Sequence, residues 1–365
     1  MTLDDLYGLK ADKPSENDRM EARRRLDAIA KPIDGLGDME KMLCRIAAIR
    51  RTPDFDMDKK ALIIMCADNG VVAEGVTQTD SAVTARVAHL MGQRKSSAGI
   101  MSVSYPIDIL TVDIGIDSNA TIPGIIDRKV RCGTGNITVT AAMSAGECLQ
   151  AIETGVDLVR DLEKSGYSLI ATGEMGIGNT TTATAVMCAL CNKQPEEVTG
   201  RGAGLDDEGL KRKVGVIKRA LAYHGMDKPA DDEITGRDMA FKALRTLGGL
   251  DIAGLTGIFI GGAICHIPVV IDGLISATAA LCADMIVTGC REYMLASHNG
   301  REAGCGEILE RLGLHAVIDA DLALGEGSGA LLLMPMLDMA YSLYIHGTRF
   351  GSDVGIDHYE RFDEK

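Results

Sequence analysis

The stretch from Ser168 to Met187, SLIATGEMGIGNTTTATAVM, constrains the fold more than any other part of this chain. It reads as a strand, a glycine loop and the start of a helix. That arrangement points backbone N–H groups and the positive end of a helix at an anion. Glu174 falls inside the loop, where it would repel a phosphate unless it faces something else. The loop therefore implies a phosphate on one side and a cationic or proton-bearing group on the other. The plainer alternative is a tight strand-to-helix turn with no ligand. Asn179 and the run Thr180, Thr181, Thr182 add side-chain donors at the helix start, where hydroxyls also cap.

Two lookalikes fit less well. From Gly173 to Thr180 the spacing is G-x-x-x-x-G-x-T, but Asn179 stands where a Walker A loop needs lysine, so a triphosphate would lose its main β/γ contact. From Gly176 the loop approaches G-x-G-x-x-G, with Thr181 in the third glycine position. Glu196 and Glu197 lie near the spacing of a ribose-binding acid, yet they follow Pro195 in a polar segment where no strand ends. A dinucleotide-dependent oxidoreductase thus rests on the glycine turns alone.

At 365 residues the chain has room for one large domain plus a smaller one. Hydrophobic residues make up 46%, aromatics only 4%, and there are 42 glycines, which suits an α/β protein packed with Ala, Val, Ile, Leu and Met. A net charge of −14 argues against nucleic acid or an anionic membrane as partner. An anion site here must draw on local dipoles and one or two cations. The N-terminus, Met-Thr-Leu-Asp-Asp, shows no apolar signal region, and 10 cysteines then imply a reducing, cytoplasmic setting. Cys188 and Cys191 form C-x-x-C, which fits redox or metal chemistry or, in so apolar a helical run, a pair of core thiols. The run from Ile252 to Ile271 reaches membrane-spanning length. Its glycines, His266, Pro268 and the bounding Asp251 and Asp272 instead predict a buried helix, turn and strand.

Hydrophobic periodicity predicts helices over 4–29, 38–51, 84–91, 145–163, 207–223, 276–287 and 330–339. Lys31 to Gly37 breaks the first from the second. Strands are predicted over 61–66, 107–112, 168–171 and 268–271. Strands alternating with helices imply a parallel sheet covered on both faces. Asp/Gly clusters follow several strands, at Ala67-Asp-Asn-Gly70, Asp113-Ile-Gly115 and Asp272-Gly273. Ligands of open α/β sheets bind at those carboxyl ends.

Three further segments carry site chemistry. Gly200-Arg-Gly-Ala-Gly-Leu-Asp-Asp207 is a second glycine turn before a helix, and Lys213 lies two turns into that helix, either reaching an anion or solvated. Leu324-Gly-Glu-Gly-Ser-Gly329 puts Glu326 on a backbone free to approach a ligand closely. Partial burial would raise its pKa and suit it to act as a base; otherwise it is an ordinary loop acid. Ser297 to Gly304 forms a binding loop or a polar turn. His298 has no visible metal partners, so no metal site is assigned.

Taken in order, these segments resemble the nicotinate-nucleotide:dimethylbenzimidazole phosphoribosyltransferase family, whose members make the lower-ligand nucleotide of cobalamin. The resemblance covers nearly the whole chain. GEMGIGNTTTA at Gly173 to Ala183 and LGEGSGA at Leu324 to Ala330 are its most specific pieces. It implies a Rossmann-like large domain, 31–334, and a small helical domain from both chain ends, 1–30 and 335–365. It also implies a homodimer, or pairing with a paralogue.

The implied reaction moves 5-phosphoribose from nicotinate mononucleotide to an aromatic acceptor, with no metal or redox cofactor required. Glu326 takes the base role by the motif match, and Glu174 faces the ribose or the charge developing near C1′. Gly176, Ile177, Gly178, Asn179, Thr180 and Lys213 would hold the donor and its 5′-phosphate, with Gly202 and Gly204 assisting. This chain departs from the family at Thr77-Gln-Thr-Asp80, where a Ser-x-Tyr-Pro segment is frequent, and at Asn69 and Cys305, where histidine is usual. Acceptors in the family include benzimidazoles, purines and phenols. Thr79, Asp80, Ala88 and Leu324 are the aligned acceptor-side candidates. A non-catalytic partner subunit is the rival reading, opposed by the intact Glu326 and Glu174.

Overall fold

The computed structural model describes residues 1–227, 236–351, 354, 355, 357 and 359. Six parallel strands form the main sheet: β1 (Lys60–Ala67), β2 (Asp108–Gly115), β3 (Ile126–Asp127), β4 (Leu169–Met175), β5 (Val269–Ile271) and β6 (Met294–Ala296). Their order is β3-β2-β1-β4-β5-β6. This is the Rossmann-like α/β architecture, with helices on both faces. Two further strands, β7 (His298–Gly300) and β8 (Ile318–Leu322), pair in a small second sheet.

The alternation of side chains along β1 divides the interior. Ala61, Ile63, Met65 and Ala67 face one core, shared with the helices Ala145–Lys164, Asn179–Cys191, Leu250–Cys265 and Leu274–Ile286. Leu62, Ile64 and Cys66 face the other, shared with Asp38–Arg50 and Ser328–His346. Every residue of β1 is buried, so the strand reads as a continuous apolar run.

The region predicted helical over 4–29 is two helices, Leu3–Gly8 and Glu16–Asp27. Ser15 caps the second by accepting the Asp18 N–H, and Leu6 of the first is fully buried in the other core. The Asp27–Ile29 end meets the C-terminal segment: Phe350 N–H donates to Ala28 O, and Ala30 N–H to Thr348 O. The helix Ser328–His346 runs unbroken through Pro335. Of the segment 335–365, residues 352, 353, 356, 358 and 360–365 lie outside the described residues.

β4 extends past Ala171 to Met175, so Glu174 ends a strand and does not sit in the loop. The longer β1 alongside supplies ladder partners up to Cys66↔Met175, and these hold the glycine-containing end extended. The strands β3, β6 and β7 have two or three residues each, too few to show an alternating pattern.

The long apolar run is the buried helix Leu250–Cys265 followed by β5. Among the described residues, Ser328–His346 alone is long and apolar enough to cross a membrane, and half of it is buried against the sheet.

Candidate active site

A cleft opens at the carboxyl ends of β4 and β5, beside the point where the strand order reverses between β1 and β4. This is where open α/β sheets place ligands. Its floor carries Glu174, Met175 and Asp272. One wall is the glycine loop with Gly176, Ile177, Gly178, Asn179 and Thr180; the opposite wall holds Leu324 and Gly325. Gly202, Ala203 and Glu302 close one end, and Thr77 and Gln78 overhang the rim.

The glycine loop ends at Gly178, the N-cap of Asn179–Cys191. No side chain caps that helix start, so the hydroxyls do other work. Thr182 Oγ1 donates to Asn69 Oδ1 at 3.1 Å, and Thr180 Oγ1 accepts from Lys213 Nζ at 2.9 Å. Lys213 Nζ also donates to Gly200 O at 3.0 Å. The lysine is fully buried, which removes the solvated reading. Burial pushes its pKa down to about 8. It is therefore a single cation tying the glycine loop to the second glycine turn. Gly202 lies in that turn within the cleft, whereas Gly204 lies behind it, its carbonyl held by Gln78 Nε2.

Asn179 is turned inward. Its Nδ2 donates to Glu174 Oε2 and, at 2.9 Å, to Asp251 Oδ2. One amide thus bridges two carboxyls. Desolvation pushes Glu174 up to about 8, helped by the nearby charges of Asp251, Asp272 and Glu326 and opposed by the Asn179 hydrogen bond. Desolvation likewise raises Asp251 to about 6.

Glu326 sits between Gly325 and Gly327 with φ of 58°, in the left-handed region that costs a non-glycine residue about 1 kcal/mol. Asp272 holds the loop there. Its carboxylate accepts the N–H groups of Gly327 at 3.2 Å, Gly329 at 2.8 Å and Ala330 at 3.1 Å. Burial raises Asp272 to about 6, against these bonds. Glu326 Oε2 in turn accepts the Ala98 N–H at 2.9 Å. The loop packs directly on β4: a side chain on Gly325 would come within 2.7 Å of Glu174 Oε1. Gly329 must lack a side chain because the His298 ring would be 1.9 Å away. The two glutamates, 152 positions apart in sequence (326 − 174), are brought to adjoining backbone.

The acceptor-side candidates separate. Leu324 lines the cleft and is 56% exposed. Thr79 and Asp80 lie on the exposed turn next to the rim, where Asp80 Oδ1 accepts the Ala82 N–H. Ala88 is buried on the helix Ala82–Gly92. These three do not line the cleft; Thr77 and Gln78 do. Among the described residues no cluster of His, Cys, Asp and Glu is placed to hold a metal, and Cys188 and Cys191 are free thiols, Cys188 being buried in the core.

Comparison with known proteins decides the family. A profile described as phosphoribosyltransferase matches residues 11–352. A nicotinate-nucleotide–dimethylbenzimidazole phosphoribosyltransferase from Acetivibrio thermocellus is 41% identical over 338 residues, 93% of either chain. One of the same name from Ruminiclostridium cellulolyticum is 40% identical, covering 93% of this chain and 94% of its own. The crystal structure of the Thermus thermophilus protein bearing that name superposes with a TM-score of 0.85 at 32% identity, over 94% of this chain and all of that one. The chain belongs to the nicotinate-nucleotide–dimethylbenzimidazole phosphoribosyltransferase family.

Within this phosphoribosyltransferase, Asp272, His298 and Glu302 at the cleft, and Asp251 bonded to Asn179 behind it, were not assigned site roles by the sequence. Asp251 and Asp272 read in the sequence as the polar ends of an apolar run. The informative cue was that Asp272 directly follows a strand, where sheet ligands gather. His298 and Glu302 reach the cleft from a segment that read equally as a polar turn.

The raised carboxyls have a consequence for stability. In the unfolded chain Glu174 ionises near the ordinary glutamate value, whereas in the native state it keeps its proton up to about 8. Between those values the native state binds more protons, so this contribution is full at acidic pH and is lost as pH rises through about 8. The expected result is that wild type loses stability relative to Glu174→Gln as pH is raised from about 5 to about 8. Urea unfolding midpoints of both proteins across that range are the check, and a constant difference between them would show that Glu174 is not protonated.

Proposed function

We propose that the chain transfers 5-phosphoribose from nicotinate mononucleotide to dimethylbenzimidazole or a related benzimidazole, purine or phenol, giving an α-riboside 5′-phosphate and nicotinate. One observation carries the reading. Glu326, held by the Ala98 N–H behind the wall of Leu324 and Gly325, adjoins a second carboxyl, Glu174, on the floor of a cleft whose far end offers a helix start backed by one buried lysine. In this scheme the 5′-phosphate lies against Gly176 to Thr180 and Gly202, near Lys213.

The acceptor's lone-pair nitrogen attacks C1′ as the bond from C1′ to the pyridinium nitrogen breaks. Its electron pair passes to that nitrogen and neutralises the ring, so the leaving group needs no acid. The acceptor N–H proton goes to Glu326, which keeps the new riboside neutral at its base. Attack opposite the leaving group converts the β donor to an α product. Glu174 would face C1′, where the cationic donor favours its ionised form and the developing positive charge is stabilised.

We extend the proposal to a homodimer in the cytoplasm, with 10 unpaired cysteines suited to a reducing compartment. A small helical unit from both chain ends, supported by the pairing of Ile29 with Arg349, belongs to the same reading.

The test is incubation with nicotinate mononucleotide and a panel of acceptors, read by mass spectrometry. Acceptor-dependent nicotinate release with a matching riboside phosphate is expected. Nicotinate release that ignores the acceptor would overturn the transferase reading.

A further inference from the structure

The end of the cleft assigned to the 5′-phosphate already holds an anion of the protein's own. Gly202, in the left-handed region at φ of 54°, donates its N–H to Glu302 Oε1 at 3.2 Å. Glu302 Oε2 is buried with no hydrogen-bond partner among the described residues. The carboxyl presses against Gly200 so closely that a side chain there would meet Oε2 at 1.6 Å. On the other side of the turn, a side chain on Gly202 would stand 2.9 Å from Thr180 Oγ1 and 3.4 Å from Lys213 Nζ. The glycine turn, the threonine, the lysine and Glu302 therefore share one small volume. Among the described residues Lys213 donates its hydrogen bonds to two neutral oxygens, Thr180 Oγ1 and Gly200 O, and forms no direct ion pair with Glu302. The volume thus combines a buried cation that feels the Glu302 charge without a direct ion pair, a backbone N–H aimed inward and a carboxyl oxygen left unsatisfied, which is costly for a buried acceptor.

We infer that the Glu302 carboxylate is a tethered occupant of the phosphate seat, which an incoming phosphate must displace from the Gly202 N–H. The inference rests on the proposed donor site and deepens it. Two anions cannot share one N–H and one lysine without strong like-charge repulsion. A phosphate can enter only by turning Glu302 out toward the cleft mouth, where water solvates it. Nicotinate mononucleotide offsets that cost with its ribose and ring contacts. Inorganic phosphate brings only the seat contacts and is rejected. Glu302 would thereby select a phosphate ester over the free anion, and its return would help expel the phosphorylated product.

The experiment titrates inorganic phosphate into wild type, Glu302→Gln and Glu302→Ala by calorimetry, with melting curves to confirm folding. Gln keeps the shape and a carbonyl for the Gly202 N–H but removes the charge; Ala empties the seat. Both variants are expected to bind phosphate about tenfold tighter than wild type or better, the scale set by removing one like charge. Phosphate should also become a competitive inhibitor of donor turnover in both. Unchanged or weaker phosphate binding in the two folded variants would overturn the inference. Donor binding and turnover by wild type, measured alongside, separate the failures. A wild type that turns over while the variants gain no phosphate affinity sinks the role of Glu302 alone. A wild type that neither binds nor consumes nicotinate mononucleotide sinks the proposed function.

Discussion

Replacing Glu326 by Gln should lower kcat by about 10² to 10⁴-fold, the range for losing a positioned general base. Glutamine can still accept the Ala98 N–H through its carbonyl, and Asp272 still holds Gly327, Gly329 and Ala330. The loop geometry is therefore preserved and only proton acceptance is lost. Donor affinity should stay within about twofold, since the interaction removed belongs to the transition state. Steady-state kinetics combined with donor binding by calorimetry make the distinction. Near-full turnover with every acceptor would refute the base assignment, and a matching fall in donor affinity would point to a collapsed loop.

Lys213→Met should have the largest effect on donor binding. Methionine fills the space of the stem but removes the buried cation and both hydrogen bonds, to Thr180 Oγ1 and Gly200 O. Hydrogen bonds to charged groups are worth about 1.5–3 kcal/mol, so donor Kd should rise roughly 10- to 100-fold. The cleft lining itself contributes no lysine or arginine among the described residues, so nothing nearby substitutes for this charge. Because burial lowers Lys213 to about 8, the wild-type affinity for donor should decline as pH rises above that value. The methionine variant should lack that decline. Donor titrations at several pH values would read both effects, and a variant with wild-type affinity would remove Lys213 from the site.

The central strands and the long helices were legible because their apolar patterns run for many residues. The Asp207–Tyr223 helix coincides with its predicted limits. The glycine loop was legible as a strand-to-helix turn, though Glu174 moved from loop to strand because β1 reaches further than the apolar run of β4 suggests. The hydroxyls of Thr180 and Thr182 read locally as caps and are not. Their partners, Lys213 and Asn69, come from distant segments that local pattern does not reveal. The rim residues Thr79 and Asp80 were placed by motif position, yet the turn directs Thr77 and Gln78 to the cleft.

The sequence alone determined the family, the alternating α/β order and two glycine loops, one following Glu174 and one carrying Glu326, since these are properties of local pattern and motif spacing. Only the tertiary structure decided that Lys213 is a buried cation and that Asn179 bridges Glu174 to Asp251. It alone decided that Asp272 fixes the Glu326 loop and that Glu302 accepts the Gly202 N–H at one end of the cleft. Each of those depends on which side chains desolvate one another across the ends of separate strands. Desolvation and hydrogen-bond geometry arise from packing in three dimensions, and spacing along the chain does not encode them.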